Sequence, residues 1–208
     1  MINTIIFDFG DVFINLNKHA VTEAFAALGF HGAPADLEEL NILYETGRIS
    51  EEEFLSGFQK YIPHASLLEI RKAWNAIIGD FPLERLELLQ MLKQKYRLFL
   101  LTNTDATHIE RFEHVVGMTF SREFYQCFEK IYYSYELGMR KPDPQVFELL
   151  IRKHDLEPQR TLFVDDRQEN TDAAASCGLH VWNLLPGKED VVNLFDLKIM
   201  QQHSFGHL

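Results

Sequence analysis

Thr4-Ile5-Ile6-Phe7-Asp8-Phe9-Gly10-Asp11 is the stretch that decides the fold. Its β-branched and aromatic residues run to Asp8 with almost no polar content, the pattern of a strand covered on both faces, and such strands belong to parallel sheets. Similar segments recur at Arg97–Thr102, Lys130–Ser134, Thr161–Asp165 and His180–Asn183, separated by stretches with helical spacing. Five short apolar strands alternating with helices predict an α/β fold built on a doubly wound parallel sheet. Helix boundaries carry their own signals. Asp143 is placed to cap a helix with Pro144 at its first position and Val146, Phe147, Leu149 and Leu150 behind. A second helix runs from about Glu169 and stops at Gly178, a residue suited to the left-handed position that ends many helices.

Between the first and second strands the alternation breaks. Residues from about 16 to 80 hold helical segments and no convincing strand, too much chain for one crossover. The segments, roughly Lys18 to Leu28, Ala35 to Thr46, Glu51 to Tyr61 and Ser66 to Ile78, predict an inserted bundle of four helices, the third opened by a Ser50–Glu53 capping box. The expected division is a core of residues 1–15 and 82–208 and a helical insert of 16–81. The linkers would lie near Asn15 to Asn17 and Gly79 to Pro82, so that the insert could close over a site. Residues 36 to 53 carry seven acidic residues, Asp36, Glu38, Glu39, Glu45, Glu51, Glu52 and Glu53, against one basic, Arg48. Such a run reads as a solvated face, with a docking surface as the alternative.

Composition narrows the function. The chain of 208 residues has 20 Lys plus Arg against 31 Asp plus Glu, a formal charge of −11, and 46% hydrophobic residues. It can bury a core, and its negative balance removes the term that drives most binding to nucleic acid and anionic membranes. Cys127 and Cys177 form no CxxC pair and no Cys/His cluster, which excludes a disulfide scaffold and a structural zinc site; both read as buried thiols. With no basic leader and no apolar stretch near the roughly 20 residues of a membrane span, a cytoplasmic location is expected. The tail Gln201–Leu208 has no periodicity and is assigned no function.

Four of the five strands are followed at once by a polar cluster, and in an open α/β sheet the carboxyl ends of the strands form the ligand crevice. The clusters are Asp8-Phe9-Gly10-Asp11, Thr102-Asn103-Thr104-Asp105, Arg140-Lys141-Pro142, and Asp165-Asp166 with Asn170 and Asp172. Asp8 at the end of an apolar strand either caps the next turn or needs a cation to offset desolvation. The Asp165-Asp166 pair repeats the situation, and an oxygen-rich cluster of this kind suits Mg²⁺. Lys141 adds a fixed positive charge and Thr102 a hydroxyl donor, a combination fit to hold a phosphoryl or carboxylate group and to balance an aspartate nucleophile.

The order Asp8-x-x-x-Val12, Leu101-Thr102-Asn103, Lys141-Pro142 and Val164-Asp165-Asp166 with Asn170 resembles the haloacid dehalogenase superfamily across nearly the whole chain. Gly138-Met-Arg-Lys-Pro142 and Gly47-Arg48-Ile49-Ser50 are similar to elements of its small bacterial sugar-phosphate phosphatases. The resemblance implies that the insert is a four-helix cap and that Asp8 is a nucleophile forming an aspartyl-phosphate. It implies that Thr102 and the Asn103 backbone hold phosphoryl oxygens and that Lys141 neutralises the developing charge. Mg²⁺ would be bound by Asp166, Asp8 and the Gly10 carbonyl, with Asp165 and Asn170 completing or orienting that site. Most phosphatases of the superfamily carry a second Asp two residues after the nucleophile as general acid. Gly10 stands there in this chain, so either Asp11 reaches the leaving oxygen or the leaving group tolerates weak acid catalysis, as in a sugar 1-phosphate or an acyl phosphate.

The expected activity is therefore a Mg²⁺-dependent phosphatase acting on a small phosphorylated metabolite, with a sugar phosphate as lead class, in a monomer or weak homodimer. The alternatives are a 2-haloacid dehalogenase, which needs no proton on its halide and no metal, and a catalytically weak binding or regulatory module. Candidates for substrate contact in the insert are His19, Glu45, Arg48 and Trp74. Trp74 also reads as bundle core and Arg48 as a loop charge or helix-terminal partner, while Asp105, after the second motif, either touches substrate or caps the next helix.

Overall fold

The computed structural model describes residues 1–32 and 35–201; the expectation about the tail past Gln201 lies outside them. The sheet has five parallel strands, β1 Thr4–Phe7, β2 Arg97–Thr102, β3 Lys130–Tyr133, β4 Thr161–Asp165 and β5 His180–Asn183, in the order β3-β2-β1-β4-β5. β1 ends at Phe7, two residues before the apolar run does. Asp8 keeps one ladder bond, donating its N–H to Val164 O at 2.9 Å, and the chain then turns, with Asp11 at φ 54°. Phe9 is thereby released from the sheet into an edge-to-face contact with Phe112.

Both faces of the sheet are covered, as apolar strands without polar alternation require. The helices in chain order are α1 Lys18–Ala27, α2 Ala35–Glu45, α3 Glu51–Gln59, α4 Leu67–Asn75, α5 Leu83–Leu92, α6 Ala106–Val116, α7 Met118–Tyr125, α8 Ser134–Leu137, α9 Pro144–His154, α10 Gln168–Ser176 and α11 Lys198–Gln201. Ile5, Phe7, Leu98, Leu100, Leu162 and Val164 pack with α5, α6 and α7, while Ile6, Phe99, Leu101 and Phe163 pack with Val146, Phe147 and Leu150 of α9 and Ala174 of α10. Alternate strand residues therefore serve opposite layers. Asp143 caps α9 through a 2.9 Å bond from Gln145 N. Cys127 is buried, but Cys177 is half-exposed, because it caps the outer end of α10, where its thiol reaches the Pro144 carbonyl at 3.7 Å.

Helices α1 to α4 gather around their own apolar cluster, in which Phe25 stacks on Phe58 and Tyr44 on Phe54. The bundle leaves and rejoins the sheet layer through two segments that bind each other: Gly79 N donates to Asn15 O, Asn15 N to Asp80 O, and Asn17 N to Ile77 O. Only glycine fits at 79, since a Cβ there would lie 2.5 Å from the Asn15 carbonyl oxygen. Buried Arg85 fixes this neck, donating to Phe13 O and to Asn15 Oδ1 while it pairs with Asp190. Among the described residues, no helix is long and apolar enough to cross a membrane.

Candidate active site

β1 lies between β2 and β4, where the strand order reverses from the β1-β2-β3 half to the β4-β5 half, and a crevice opens beyond the carboxyl ends at that point. Asp8 stands at that point. In register with it, β4 ends on Asp165, and β2 ends on Thr102. Lys141 enters from the segment before α9 and is fully buried, with Nζ 2.9 Å from Asp8 Oδ1 and 2.6 Å from Asp165 Oδ2. A buried ammonium with a long side chain must be held from its backbone, and Asn103 does so twice. Its Nδ2 donates to Lys141 O at 2.8 Å and its Oδ1 accepts from Lys141 N at 2.9 Å. Asn170 donates to both oxygens of Asp165 at 3.0 Å, and Arg167 N donates to Oδ1 at 2.8 Å, which leaves Asp165 anchored on every side.

The electrostatics follow from burial and crowding. Burial pushes the Asp8 carboxyl up to about 7, Asp165 adding to the shift and Lys141 opposing it. Burial, then Asp165 and Asp11, push Asp166 up to about 6. Burial disfavours the Lys141 charge, but the two carboxylates outweigh it and hold its pKa above the ordinary lysine value. Three carboxylates against one ammonium leave an excess of negative charge when all are ionised. Asp8, Asp165 and Asp166 can each offer an oxygen with all three atoms within 4.8 Å of one another. An all-oxygen set of excess negative charge fits a hard divalent cation such as Mg²⁺. With Asp165 spoken for by Lys141, Asn170 and Arg167, Asp8 and Asp166 are the freer donors.

Asp8, Gly10, Thr102, Asn103, Lys141, Asp166 and Asn170 line one cavity of about 430 Å³, and Asp165 lies beneath it. Asp11 and Arg48 are not among the lining residues. Asp11 turns aside, accepting from Leu16 N at 2.9 Å and pairing with Lys18 Nζ at 2.8 Å, and it is Lys18 that reaches the cavity. Leu16 also fills the space beside Gly10, where an added Cβ would lie 2.9 Å from its Cδ1. Arg48 is exposed, and it follows Gly47, whose φ of 66° and close approach to the Tyr135 carbonyl leave no room for a Cβ. His19 is also exposed, paired with Glu23 on the α1 surface at 3.2 Å.

The opposite wall comes from the insert. Asn41 and Glu45 of α2, Trp74 of α4, and Ile77 and Ile78 face the carboxylates, joined by His108 and Arg140 from the sheet layer. Trp74 packs on the bundle core but also reaches across, donating Nε1–H to Asp105 Oδ2 at 3.0 Å and stacking on the His108 ring. Asp105 caps α6 through a 2.8 Å bond from His108 N, and its carboxylate lies 3.1 Å from His108 Nδ1. Burial raises the Asp105 pKa, but the contacts with His108 reverse this and hold it below the usual range. Arg71 of α4 joins the two layers again, between Glu51 at 2.5 Å and Glu110 at 2.6 Å. Of these wall residues, His108, Lys18 and Asn41 were missed by sequence reasoning, and Arg140 was quoted only as the neighbour of Lys141. The one local signal was the Asn41–Glu45 spacing of four, which puts both on the same side of a helix.

Residues 2–178 match the model of the haloacid dehalogenase-like hydrolase family. The chain is 28% identical over 196 residues to D-ribitol-5-phosphate phosphatase of Bacteroides thetaiotaomicron, covering 88% of this chain and 91% of that protein. It resembles the solved wild-type structure of a haloacid dehalogenase family enzyme from Bacteroides thetaiotaomicron in complex with magnesium and inorganic phosphate. That likeness has a TM-score of 0.82 and 32% identity over 94% of this chain and 100% of that one. An L-2-haloacid dehalogenase structure shares the fold alone, with a TM-score of 0.60 and 18% identity over 92% of this chain and 91% of that chain.

Proposed function

Because the chain belongs to the haloacid dehalogenase-like hydrolase family, we propose that it is a Mg²⁺-dependent phosphatase acting on a small phosphorylated metabolite, with sugar phosphates as the lead class. The observation that carries this reading is the group of Asp8, Asp165 and Asp166 beneath a cavity, with its excess of negative charge. A dianionic phosphate could not approach three carboxylates with Lys141 alone to screen them. Displacement of halide needs no cation, so the same group weighs against the dehalogenase alternative. The relative named a phosphatase and the magnesium and phosphate complex of its fold support the assignment.

Asp8 is the nucleophile. Its free carboxylate oxygen forms a bond to phosphorus while the ester P–O bond breaks, and the leaving oxygen departs with the bonding pair and takes up a proton. Water then adds to phosphorus as the bond from Asp8 to phosphorus breaks, which frees inorganic phosphate and restores the carboxylate, and the proton the water gives up balances the one taken by the leaving oxygen. Lys141 holds Asp8 in place through its 2.9 Å contact and balances charge at the phosphoryl group. Thr102 and the Asn103 backbone receive phosphoryl oxygens, and the Asn103 side chain positions Lys141. Asp8 and Asp166, with the Gly10 carbonyl, would hold Mg²⁺, which would supply Lewis-acid neutralisation of the phosphate. The insert, residues 16–81, serves as the cap that shuts bulk solvent out of the cavity.

The test is phosphate release from sugar phosphates, acyl phosphates and an activated aryl phosphate, with and without Mg²⁺. Metal-dependent release is expected; metal-independent chloride release from a 2-chloroacid, with no phosphate release, would overturn the reading. Asp11 is a positioning residue for Lys18 in this scheme, because its oxygens are taken up by Leu16 N and Lys18 Nζ and it does not itself line the cavity. Asp11→Asn should therefore lower kcat on the best substrate less than about tenfold, whereas loss of a general acid would cost roughly 10²- to 10⁴-fold.

A further inference from the structure

Asn41 and Glu45 lie one turn apart on α2, and Arg140 faces them from the sheet layer. Asn41 Nδ2 donates to Glu45 Oε1 at 3.3 Å, and Arg140 Nη2 lies 3.1 Å from Glu45 Oε2, an ion pair not aligned as a hydrogen bond. The row so formed is incomplete. Asn41 Oδ1, Glu45 Oε2 and Arg140 Nε are buried atoms without a hydrogen-bond partner. A buried polar atom left unpaired is costly, and a cluster of them beside a reaction cavity marks where a ligand completes the bonding. All three side chains line the cavity that holds Asp8.

The unpaired atoms are two acceptors and one donor. Hydroxyls are matched to this set, since each can donate to an amide or carboxylate oxygen and accept from a guanidinium N–H. Glu45 and Arg140 neutralise each other, so a phosphate nearby meets no added repulsion, while a second carboxylate on the substrate would meet Glu45. The rest of the wall, Trp74, Ile77 and Ile78, offers apolar surface to carbon-bound hydrogen. We infer that Asn41, Glu45 and Arg140 form the leaving-group subsite and select an uncharged polyol or sugar by its neighbouring hydroxyls. This inference rests on the phosphatase reading and adds to it the residues that choose among phosphate esters.

The experiment compares kcat/KM for a pentitol phosphate, n-pentyl phosphate, a phosphorylated hydroxy acid and 4-nitrophenyl phosphate, in the wild type and in Glu45→Gln, Asn41→Leu and Arg140→Met. The wild type should favour the pentitol phosphate over pentyl phosphate by about 100-fold or more, as expected for a site built to bond hydroxyls. The ratio of pentitol phosphate to 4-nitrophenyl phosphate should fall about tenfold or more in each variant, and Glu45→Gln should improve the ranking of the hydroxy-acid phosphate. Glu45→Gln conserves volume, and thermal melts identify any variant that has lost its fold. Phosphate release with an unchanged ratio in all three folded variants overturns the subsite. Absence of release from every ester, 4-nitrophenyl phosphate included, overturns the phosphatase reading and the subsite with it.

Discussion

Asp8→Asn should lower phosphate release by about 10⁴-fold or more while the protein remains folded. The amide matches the carboxylate in size and can accept from the same neighbours, so packing at the end of β1 is kept. What is lost, on the proposed reading, is the nucleophile. The unusual part of the expectation concerns stability. The folded protein holds the Asp8 pKa at about 7, well above the ordinary range for an aspartate, so burial works against its charged form. A carboxyl whose pKa is raised on folding binds more protons in the native state, and its contribution weakens as pH rises from about 4 to about 7. Removing that charge spares the native state this penalty, although Lys141 loses one partner. Without metal at pH 7.5, the variant is expected to melt no lower than the wild type, and Mg²⁺ should stabilise it less. Differential scanning calorimetry beside a phosphate assay checks both, and residual turnover within tenfold of wild type would remove Asp8 from the chemistry.

Lys141→Met should produce the other large effect. The ammonium touches Asp165 and Asp8 at 2.6 and 2.9 Å and is fully buried. Taking one partner out of a buried ion pair costs about 3–5 kcal/mol, because the charge left behind is uncompensated; here two carboxylates are left. Methionine fills most of the volume, so the loss is electrostatic. Urea unfolding should show the deficit in metal-free protein and a larger gain from Mg²⁺ than in wild type, since a cation can replace part of the missing charge. Turnover should fall by roughly 10²- to 10³-fold, the scale of one lost electrostatic contact to the reacting group. A variant that unfolds at the wild-type urea midpoint without metal would show that Lys141 is not the compensating charge.

The sheet was legible because its strands are buried on both faces, and a run such as Leu98–Leu101 cannot be a surface element. The carboxylates and the lysine were legible for a related reason, since charges at the ends of apolar strands need an account. The far wall of the cavity was not. Arg48 sits in the similar segment of the insert yet is exposed, whereas Arg140, in the sheet layer, pairs with Glu45 across the two layers. Which side chains meet there depends on how the bundle docks, through contacts such as Trp74 with Asp105 and Arg71 with Glu110, separated by 31 and 39 residues. Periodicity carries no information about such pairs. The Asn103 clamp on the Lys141 backbone was hidden in the same way, because the two residues lie 38 positions apart.

The middle position of β1 in the sheet has a consequence for how the molecule breathes. Its amides are locked between β2 and β4, and amides of that kind exchange with solvent only when the whole molecule opens, whereas peripheral elements open at far lower cost. The Asp8 anchor therefore shares the lifetime of the native state, while Asn41, Glu45 and Trp74 belong to a layer joined to the sheet by the neck, by polar contacts such as Arg71 with Glu110, and by the stack of Trp74 on His108. On the proposed reading, loosening of the bundle would admit and release ligands without disturbing Asp8. A substitution that weakens only the bundle would accordingly change which esters are handled before it changed whether any are cleaved.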